Sequence, residues 1–427
     1  MSSNESQVPF ATLASDVVRA VLPNGVRLLV KEVYPTRVVS VGLWVGVGSV
    51  DDPVEQLGIS HFVEHLLFKS SGDQGEGALA RSLHELGGYL NGFTTHECTC
   101  YWAVLPSRHF QAGLTLLARA IGSPRFLEAE CRREEEVIRQ ELRMYQDRPD
   151  AFCFENLLAL AFPDHPYGRP VLGRESTLQG LSPERLRDHY ERHYGASNLA
   201  VVIVGEVESE LVIESVGRVM GNWAAGPATP RRSRARRGGT GFRALDLEGP
   251  INTGHLQLGF SIPGLADPDV YACDLLSSVL GRGRASRLGR SLRERRGLVS
   301  QVKAGTMIER DPGLLVVEAV LAAERFEEVE EALWGELELL AQAGVSEREL
   351  VRAKNQAEAS FVMAQETVEG QGRKLGYYEM MGDFSLADQY VAHLAEVDQE
   401  ALLTASRRYL TRENVCLVRY RPAGSSP

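Results

Sequence analysis

Residues 58–68 have the sequence GISHFVEHLLF, which contains the pattern His-x-x-Glu-His at His61, Glu64 and His65. The spacing of apolar residues from Ile59 to Phe68 predicts a helix. At about 100° per residue, the two histidines lie about 40° apart around the helix axis, and Glu64 lies about 60° to the other side of His61. Two neutral imidazoles one turn apart can bind one zinc ion, and a neighbouring carboxylate can accept a proton from water on that ion. The stretch therefore predicts a zinc site with Glu64 as general base.

A third metal ligand has to come from another part of the chain, because catalytic zinc usually takes three protein ligands and keeps one open position. The helix predicted over Leu127–Gln146 carries Glu134 and Glu141, seven positions apart. Seven positions are close to two full turns, so both side chains project from the same face. One of them can bind the metal while the other orients a histidine.

The pattern His-x-x-Glu-His is the inverzincin signature, and the chain resembles the pitrilysin (M16) superfamily of zinc peptidases. The resemblance is to its small bacterial branch, which is similar to the beta subunit of mitochondrial processing peptidase. In that superfamily the glutamate ligand lies about 76 positions beyond the second histidine of the motif, which corresponds to Glu141. The similarity continues through LNGFTTHECTCYW at residues 90–102 and through HPYGRPVLG at residues 165–173.

The resemblance implies a role for each candidate site residue. His61, His65 and Glu141 would bind one zinc ion per chain, and Glu134 would be the supporting acidic residue. Residues Asn91, Gly92, Phe93 and Thr94 would form the edge strand to which an extended peptide substrate adds by main-chain hydrogen bonds. The expected activity is hydrolysis of peptides or unfolded segments in a closed chamber, with Glu64 as catalytic base.

The second half contains one departure from the family pattern. The segment SLRERRGLVSQV resembles the family segment in which an Arg and, seven positions later, a Tyr reach towards the substrate carbonyl. Arg293 matches that Arg, but Ser300 stands where the Tyr is expected, and a serine cannot span the distance of a phenol. Either this chain uses a weaker arrangement to stabilise the oxyanion, or another subunit supplies the Arg and Tyr.

The length of 427 residues predicts two domains, because single cores stop growing near roughly 250 to 300 residues. We expect an α+β fold with residues 1–225 as the zinc-bearing peptidase domain and residues 242–427 as a structurally related domain without the motif. Each domain would be a mostly antiparallel sheet covered by helices, and by family resemblance the pair would form half of a clamshell. Residues 226–241, GPATPRRSRARRGGTG, are rich in Arg, Gly and Pro and are predicted to be the linker.

The charge and hydropathy patterns limit the possible partners. A formal net charge of -11 argues against nonspecific nucleic-acid binding. Since no apolar stretch approaches the ~20 residues of a membrane-spanning helix, we expect no membrane partner and a cytoplasmic protein.

The expected partners are a peptide substrate and a second subunit, in a homodimer or a heterodimer with a homologous chain. Two other functions stay open. The chain could be a non-catalytic core or scaffold subunit of a related complex, or a catalytic subunit active only with a partner that carries the Arg and Tyr. The presence of His61, Glu64, His65 and Glu141 favours an active zinc peptidase.

Overall fold

The structure, a computed structural model, describes residues 14–69, 77–227 and 241–424. Within these ranges the chain forms two β-sheets covered by helices, which confirms the predicted α+β class. The predicted linker falls mainly on residues 228–240, which lie outside the described residues, so its bounds stay a prediction. None of the described helices is long and apolar enough to cross a membrane.

The first sheet has six strands in the order β1-β2-β6-β3-β5-β4. All neighbouring strands are antiparallel except β2 and β6, which are parallel. Among the described strands, β4 therefore lies at one edge and pairs only with β5. The strands are β1 Val17–Val21, β2 Arg27–Glu32, β3 Val38–Val45, β4 Tyr89–Thr94, β5 Thr99–Pro106 and β6 Leu199–Gly205.

The second sheet has five strands in the order β7-β11-β8-β10-β9. Within the described part of the chain, only β7 and β11 of this sheet run parallel, and β9 lies at one edge, paired with β10 alone. Both sheets are thus mostly antiparallel, as expected. The strands are β7 Arg243–Gly249, β8 Gly254–Ile262, β9 Val299–Met307, β10 Gly313–Leu321 and β11 Val415–Pro422.

Fourteen α-helices lie in the described ranges. Those of the first half are α1 Ile59–Lys69, α2 Ala78–Glu85, α3 Phe110–Gly122, α4 Glu128–Gln146, α5 Pro149–Ala161, α6 Glu175–Leu178, α7 Pro183–His193 and α8 Ser209–Met220. Those of the second half are α9 Asp269–Gly281, α10 Phe326–Ala343, α11 Glu347–Met363, α12 Val368–Met381, α13 Leu386–Glu396 and α14 Gln399–Tyr409. The sequence patterns did not predict α6, α8, α12, α13, α14, β7 or β9.

The two halves exchange helices. From the first half, α5 packs on the second sheet, where Leu157 joins a buried cluster with Val316 and Val418. From the second half, α12 packs on the first sheet, where Leu375 lies in a buried cluster with Trp44. Each sheet thus has one face covered by the other half, and the packing crosses the boundary predicted from the sequence.

The helix α12 packs closely on the first sheet, and a buried carboxylate lies at this interface. A Cβ on Gly376 would lie 2.0 Å from Trp44 Cε2, so only glycine fits at this position. Near the end of the helix, the fully buried Glu379 accepts a hydrogen bond of 3.0 Å from Arg27 of β2. A buried carboxylate needs such a partner, because an uncompensated charge is costly in the interior.

A buried polar cluster joins the β4–β5 turn to the second half. The fully buried Tyr167 donates a short hydrogen bond to Glu97 in that turn, and its hydroxyl accepts one of 3.2 Å from the backbone N–H of Asp311. The other oxygen of Glu97 lies 3.6 Å from Arg310 Nε. His165 Nε2 lies 3.2 Å from Asp311 Oδ2. These contacts fix the end of the edge strand β4 against the β9–β10 turn.

Removing the Tyr167 hydroxyl should therefore destabilise the protein. In Tyr167→Phe, Glu97 loses a buried donor, and we expect the free energy of unfolding to fall by about 1–3 kcal/mol. Urea unfolding followed by circular dichroism measures this. The matched control is Tyr34→Phe, which removes a hydroxyl that donates a hydrogen bond of 2.8 Å to the Val207 carbonyl. Because Tyr34 is 56% exposed, water can replace this bond, and the substitution should cost about 0.5 kcal/mol or less. Equal effects of the two substitutions would contradict the role given to the cluster.

Candidate metal centre

The helix α1 is held at its N-terminus by Asp52. This buried carboxylate accepts hydrogen bonds from the backbone N–H groups of Gly58 and Ser60, at 2.9 and 3.2 Å, and from Ser60 Oγ at 2.6 Å. A carboxylate at this end satisfies free N–H groups and complements the helix dipole. Burial raises the pKa of Asp52 to about 7, although these hydrogen bonds act in the opposite direction. The three hydrogen bonds of Asp52 fix the position of α1.

Three side chains converge where α1 faces α4. Glu141 Oε2 lies 3.8 Å from His61 Nε2 and 3.4 Å from His65 Nε2. One ligand atom from each of the three residues lies within 4.8 Å of the others, and within the described ranges this is the one such group of His, Cys, Asp or Glu that could hold a metal ion. Two imidazole nitrogens and a carboxylate oxygen are a donor set that suits zinc.

The two glutamates of α4 meet different atoms of His65. Glu134 Oε1 lies 2.8 Å from Nδ1, on the far side of the ring from Glu141. When Nδ1 carries the hydrogen and donates it to Glu134, Nε2 presents its lone pair towards His61 and Glu141. Lys69 Nζ lies 3.7 Å from the other oxygen of Glu134. The geometry thus distinguishes the two carboxylates, because Glu134 contacts Nδ1 of His65 and Glu141 faces Nε2. The helical spacing alone could not make this distinction.

The pKa values of the two histidines are shifted in opposite directions. Burial lowers the pKa of His61 to about 4, so this imidazole is neutral at physiological pH. Burial also acts to lower the pKa of His65, but its hydrogen bonds with Glu134 and Glu141 outweigh burial and raise that pKa to about 9. The carboxylates thus stabilise positive charge at His65, and a metal cation bound at Nε2 would take the place of the proton there.

Glu64 lies beside the histidines and faces the edge strand. The residue is only 7% exposed, and its Oε2 accepts a hydrogen bond of 2.8 Å from Thr94 Oγ1 on β4. Burial raises the pKa of Glu64 to about 7. A carboxyl group with a pKa near the working pH can both accept and return a proton.

The predicted edge strand forms one wall of the site. All six residues of β4, together with His61, Glu64, His65 and Glu141, line a cleft of about 860 Å³. Because successive side chains of a strand point to opposite faces, contact with every residue means that the cleft runs along the strand edge. Asn91, Gly92, Phe93 and Thr94 are therefore placed together with the histidine motif, and their unpaired side faces the cleft. The backbone N–H of Gly92 donates a hydrogen bond of 2.8 Å to Asn91 Oδ1.

Gly92 lets the edge strand approach Glu64 closely. A Cβ at this position would lie 2.4 Å from Phe68 Cε2 and 3.0 Å from Glu64 Oε1. Phe93, the next residue, points away from Glu64 and packs against Trp44 and Trp102. The strand is thus anchored by Phe93 while Gly92 leaves room above the carboxylate.

Arg293 and Ser300 lie outside this cleft. Arg293 is exposed on a π-helical segment, Gly289–Arg295, and is absent from the described residues that line the cleft. Ser300 Oγ donates a hydrogen bond of 3.1 Å to the carbonyl of Val320 in the neighbouring strand. The chain therefore does not bring either residue to its own histidine motif, and the role of Arg293 stays a prediction.

Two contributions to the site were missed by the sequence analysis. Thr94 was assigned only to substrate binding, although its hydroxyl hydrogen-bonds to Glu64. Asp52 lies six positions before Gly58, whereas a capping residue is expected immediately before the helix, so no local pattern identified it. The contact between Thr94 and Glu64 spans 30 positions and has no local sequence signal.

The close approach of β4 predicts a strong effect of Gly92→Ala. The added methyl group would displace Phe68 or the strand, so we expect the free energy of unfolding to fall by about 1–3 kcal/mol. Gly305→Ala is the matched control, because Gly305 lies in the edge strand β9 and a Cβ there meets no atom within 4 Å. Thermal unfolding of both variants tests this difference, and a Gly92→Ala protein as stable as Gly305→Ala would contradict the packing described here.

Sequence comparison identifies two successive matches to known families. Residues 27–175, which include the histidine motif, Glu134 and Glu141, match the family described as Insulinase (Peptidase family M16). Residues 180–357 match the family described as Peptidase M16 inactive domain. An uncharacterized zinc protease of Bacillus subtilis is 29% identical over 96% of this chain and 100% of its own length. One of Mycobacterium leprae is 30% identical over 94% of this chain and 91% of its own length.

Solved structures share the fold. A protease from Helicobacter pylori superposes with a TM-score of 0.89 at 22% identity, over 95% of this chain and 99% of the other. A protein from Pseudomonas fluorescens, described as a peptidase M16 inactive domain, gives a TM-score of 0.86 at 20% identity over 96% of this chain and 100% of the other. At these identities the likeness establishes the fold alone. The two family matches and the relative that is 30% identical along nearly its whole length show that the chain belongs to peptidase family M16.

Proposed function

We propose that the chain is a zinc-dependent endopeptidase that hydrolyses peptides or unfolded protein segments. His61, His65 and Glu141 are the proposed metal ligands, Glu134 orients His65, and Glu64 is the general base. One observation carries the proposal: three potential ligand atoms converge within 4.8 Å beside a buried carboxylate and an open strand edge. The names of the curated relatives, which are zinc proteases, agree with the choice of zinc.

The donor set determines what the metal contributes. Zinc bound by these residues would polarise the peptide carbonyl and make a water molecule more acidic. Glu134 holds the Nδ1 hydrogen of His65, which keeps Nε2 free as a ligand. His61 is neutral because it is buried, so it can act as a ligand without first losing a proton.

Glu64 is placed to move the proton during hydrolysis. Its Oε2 is occupied by Thr94 Oγ1, which leaves Oε1, the oxygen near Gly92, to accept the proton of the attacking water. The same carboxyl group then returns the proton to the leaving amine. The pKa of about 7 suits both steps.

The substrate is proposed to bind as an added strand along β4. The unpaired edge at Asn91, Gly92, Phe93 and Thr94 offers main-chain donors and acceptors that recognise an extended backbone without regard to its sequence. A peptide lying there would pass over Gly92 and thus over Glu64 Oε1. Because strand addition needs an extended backbone, unfolded segments are preferred to folded proteins.

A second subunit is proposed to close the chamber. The side chain of Glu141 is 45% exposed, so the cleft is open to solvent on one side. Neither Arg293 nor Ser300 reaches the cleft from within the chain. A homodimer, or a heterodimer with a homologous chain that carries the Arg and Tyr, would supply the missing side of the site. In the second case this chain is a catalytic subunit that depends on its partner.

Substitution of Glu64 tests the catalytic role. The zinc-loaded chain should cleave a quenched, unstructured peptide library, and Glu64→Gln should reduce the rate by at least about a hundredfold, because it removes the base. Zinc content, measured by mass spectrometry of the metal, should be equal in both proteins. A Glu64→Gln protein that cleaves as fast as the wild type contradicts the mechanism. Inactivity of both proteins, with zinc bound, favours the partner-dependent or scaffold alternative.

Substitution of Glu134 tests its role independently of activity. Glu134→Gln should lower zinc affinity by about 10- to 100-fold, because the orientation and basicity of His65 depend on this carboxylate. Competition with a chromogenic chelator measures the affinity. Glu128→Gln is the matched control, since Glu128 is on the same helix but pairs with Arg132 at the surface. Unchanged affinity in Glu134→Gln would show that the hydrogen bond to His65 does not support the metal.

A further inference from the structure

The second half contains a cavity of about 540 Å³ whose chemistry differs from that of the first cleft. It lies between α9 and the edge strand β9, as the first cleft lies between α1 and the edge strand β4. None of its described lining residues belongs to a group that could hold a metal ion. The remaining walls come from α11, α12 and α13. The position of the cavity therefore favours peptide binding without metal chemistry.

The edge of β9 is open to this cavity. Ala304, Gly305 and Thr306 are consecutive, and all three line it. Consecutive residues alternate between the faces of a strand, so the cavity meets the strand along its edge. Because β9 pairs with β10 alone, its other side offers backbone donors and acceptors to a ligand.

The cavity also contains a partly desolvated cation. Lys374 Nζ lies 3.5 Å from the ring centroid of Phe361, and the carboxylate of Asp388 acts on it electrostatically without outweighing the effect of burial. Burial lowers the pKa of Lys374 to about 8, which reflects its loss of solvation. Arg282, an exposed residue that also lines the cavity, adds a second positive charge. A partly buried ammonium group of this kind is stabilised when an anion binds beside it.

The acidic residue in the cavity is already engaged. Asp274 accepts a hydrogen bond of 2.6 Å from Tyr390 and a short one from Thr306. Its two oxygens thus have neutral donors, and it does not form an ion pair with Lys374. Apart from three serines, the rest of the wall is mainly aromatic or aliphatic, including Tyr377 and Leu394. A ligand that fits these surroundings has an apolar body and one negative charge.

We propose that this cavity binds a carboxylate carried by an apolar or aromatic group, such as the C-terminal residue of a peptide. Lys374 and Arg282 contact the carboxylate, the aromatic wall contacts the side chain, and the edge of β9 contacts the peptide backbone. A free acylated amino acid has the same carboxylate and apolar side chain, but it lacks the longer backbone of a peptide. The proposal goes beyond peptide hydrolysis and does not require it.

Calorimetric titration tests the proposal without cleavage. The zinc-loaded Glu64→Gln chain would be titrated with N-acetyl-Ala-Ala-Phe as the free acid, with its C-terminal amide, and with N-acetyl-phenylalanine. We expect the peptide acid to bind at least about tenfold more tightly than the amide, a difference of about 1.4 kcal/mol. Similar binding of N-acetyl-phenylalanine would support carboxylate recognition with a free acid as the source. Equal affinity for the acid and the amide would overturn the proposal.

Substitutions test whether the ligand binds in this cavity. Lys374→Gln should abolish the preference for the acid, whereas Lys303→Gln should retain it, because Lys303 lies outside the cavity and pairs with Glu318. A Lys374→Gln protein that keeps the preference overturns the proposal. If circular dichroism shows that Lys374→Gln does not fold, the exposed variant Arg282→Gln replaces it. It should weaken binding of the acid several-fold, and an unchanged affinity overturns the proposal.

Discussion

The hydrogen bond between Glu134 and His65 Nδ1 is the interaction on which the site depends. At 2.8 Å it fixes the ring of His65 so that Nε2 faces His61 and Glu141. Without it, the partly buried ring could rotate, and the carboxylate of Glu141 would face no fixed pair of nitrogens. The hydrogen bonds of Asp52 at the start of α1 act on the same helix from its other end. Together, the hydrogen bonds of Glu134 and Asp52 hold the potential metal-ligand atoms of the motif in one geometry.

The exchange of helices makes that geometry a property of the whole chain. The edge strand β4 is held by its pairing with β5. Contacts of β4 and the β4–β5 turn with the second half also hold it. Tyr89 of β4 donates a hydrogen bond of 2.6 Å to Glu369 of α12, and Arg373 of α12 lies 5.4 Å from the ring centroid of Phe93. The strand proposed to bind the substrate is therefore stabilised by contacts with the half of the molecule that lacks the histidine motif. The second half contributes to the first site through packing and polar contacts with β4 and the β4–β5 turn.

Local patterns were sufficient for the elements that carry the motif. Apolar spacing predicted a helix from Ile59, and the seven-residue interval placed Glu134 and Glu141 on one face of α4, as observed. The helix α12 was missed because its sequence, VEGQGRKLGYYEMM, contains three glycines, which lower helix propensity. One of them, Gly376, is required by the contact with Trp44. Packing of α12 on the first sheet joins parts of the chain more than 300 positions apart, and no local signal encodes it.

Anomalous diffraction at the zinc absorption edge, from crystals of the zinc-loaded chain, would locate the metal. We expect one strong anomalous peak per chain, bounded by His61, His65 and Glu141, with Glu134 still hydrogen-bonded to His65. Zinc in the crystals without a peak between those three side chains would contradict the proposed metal site.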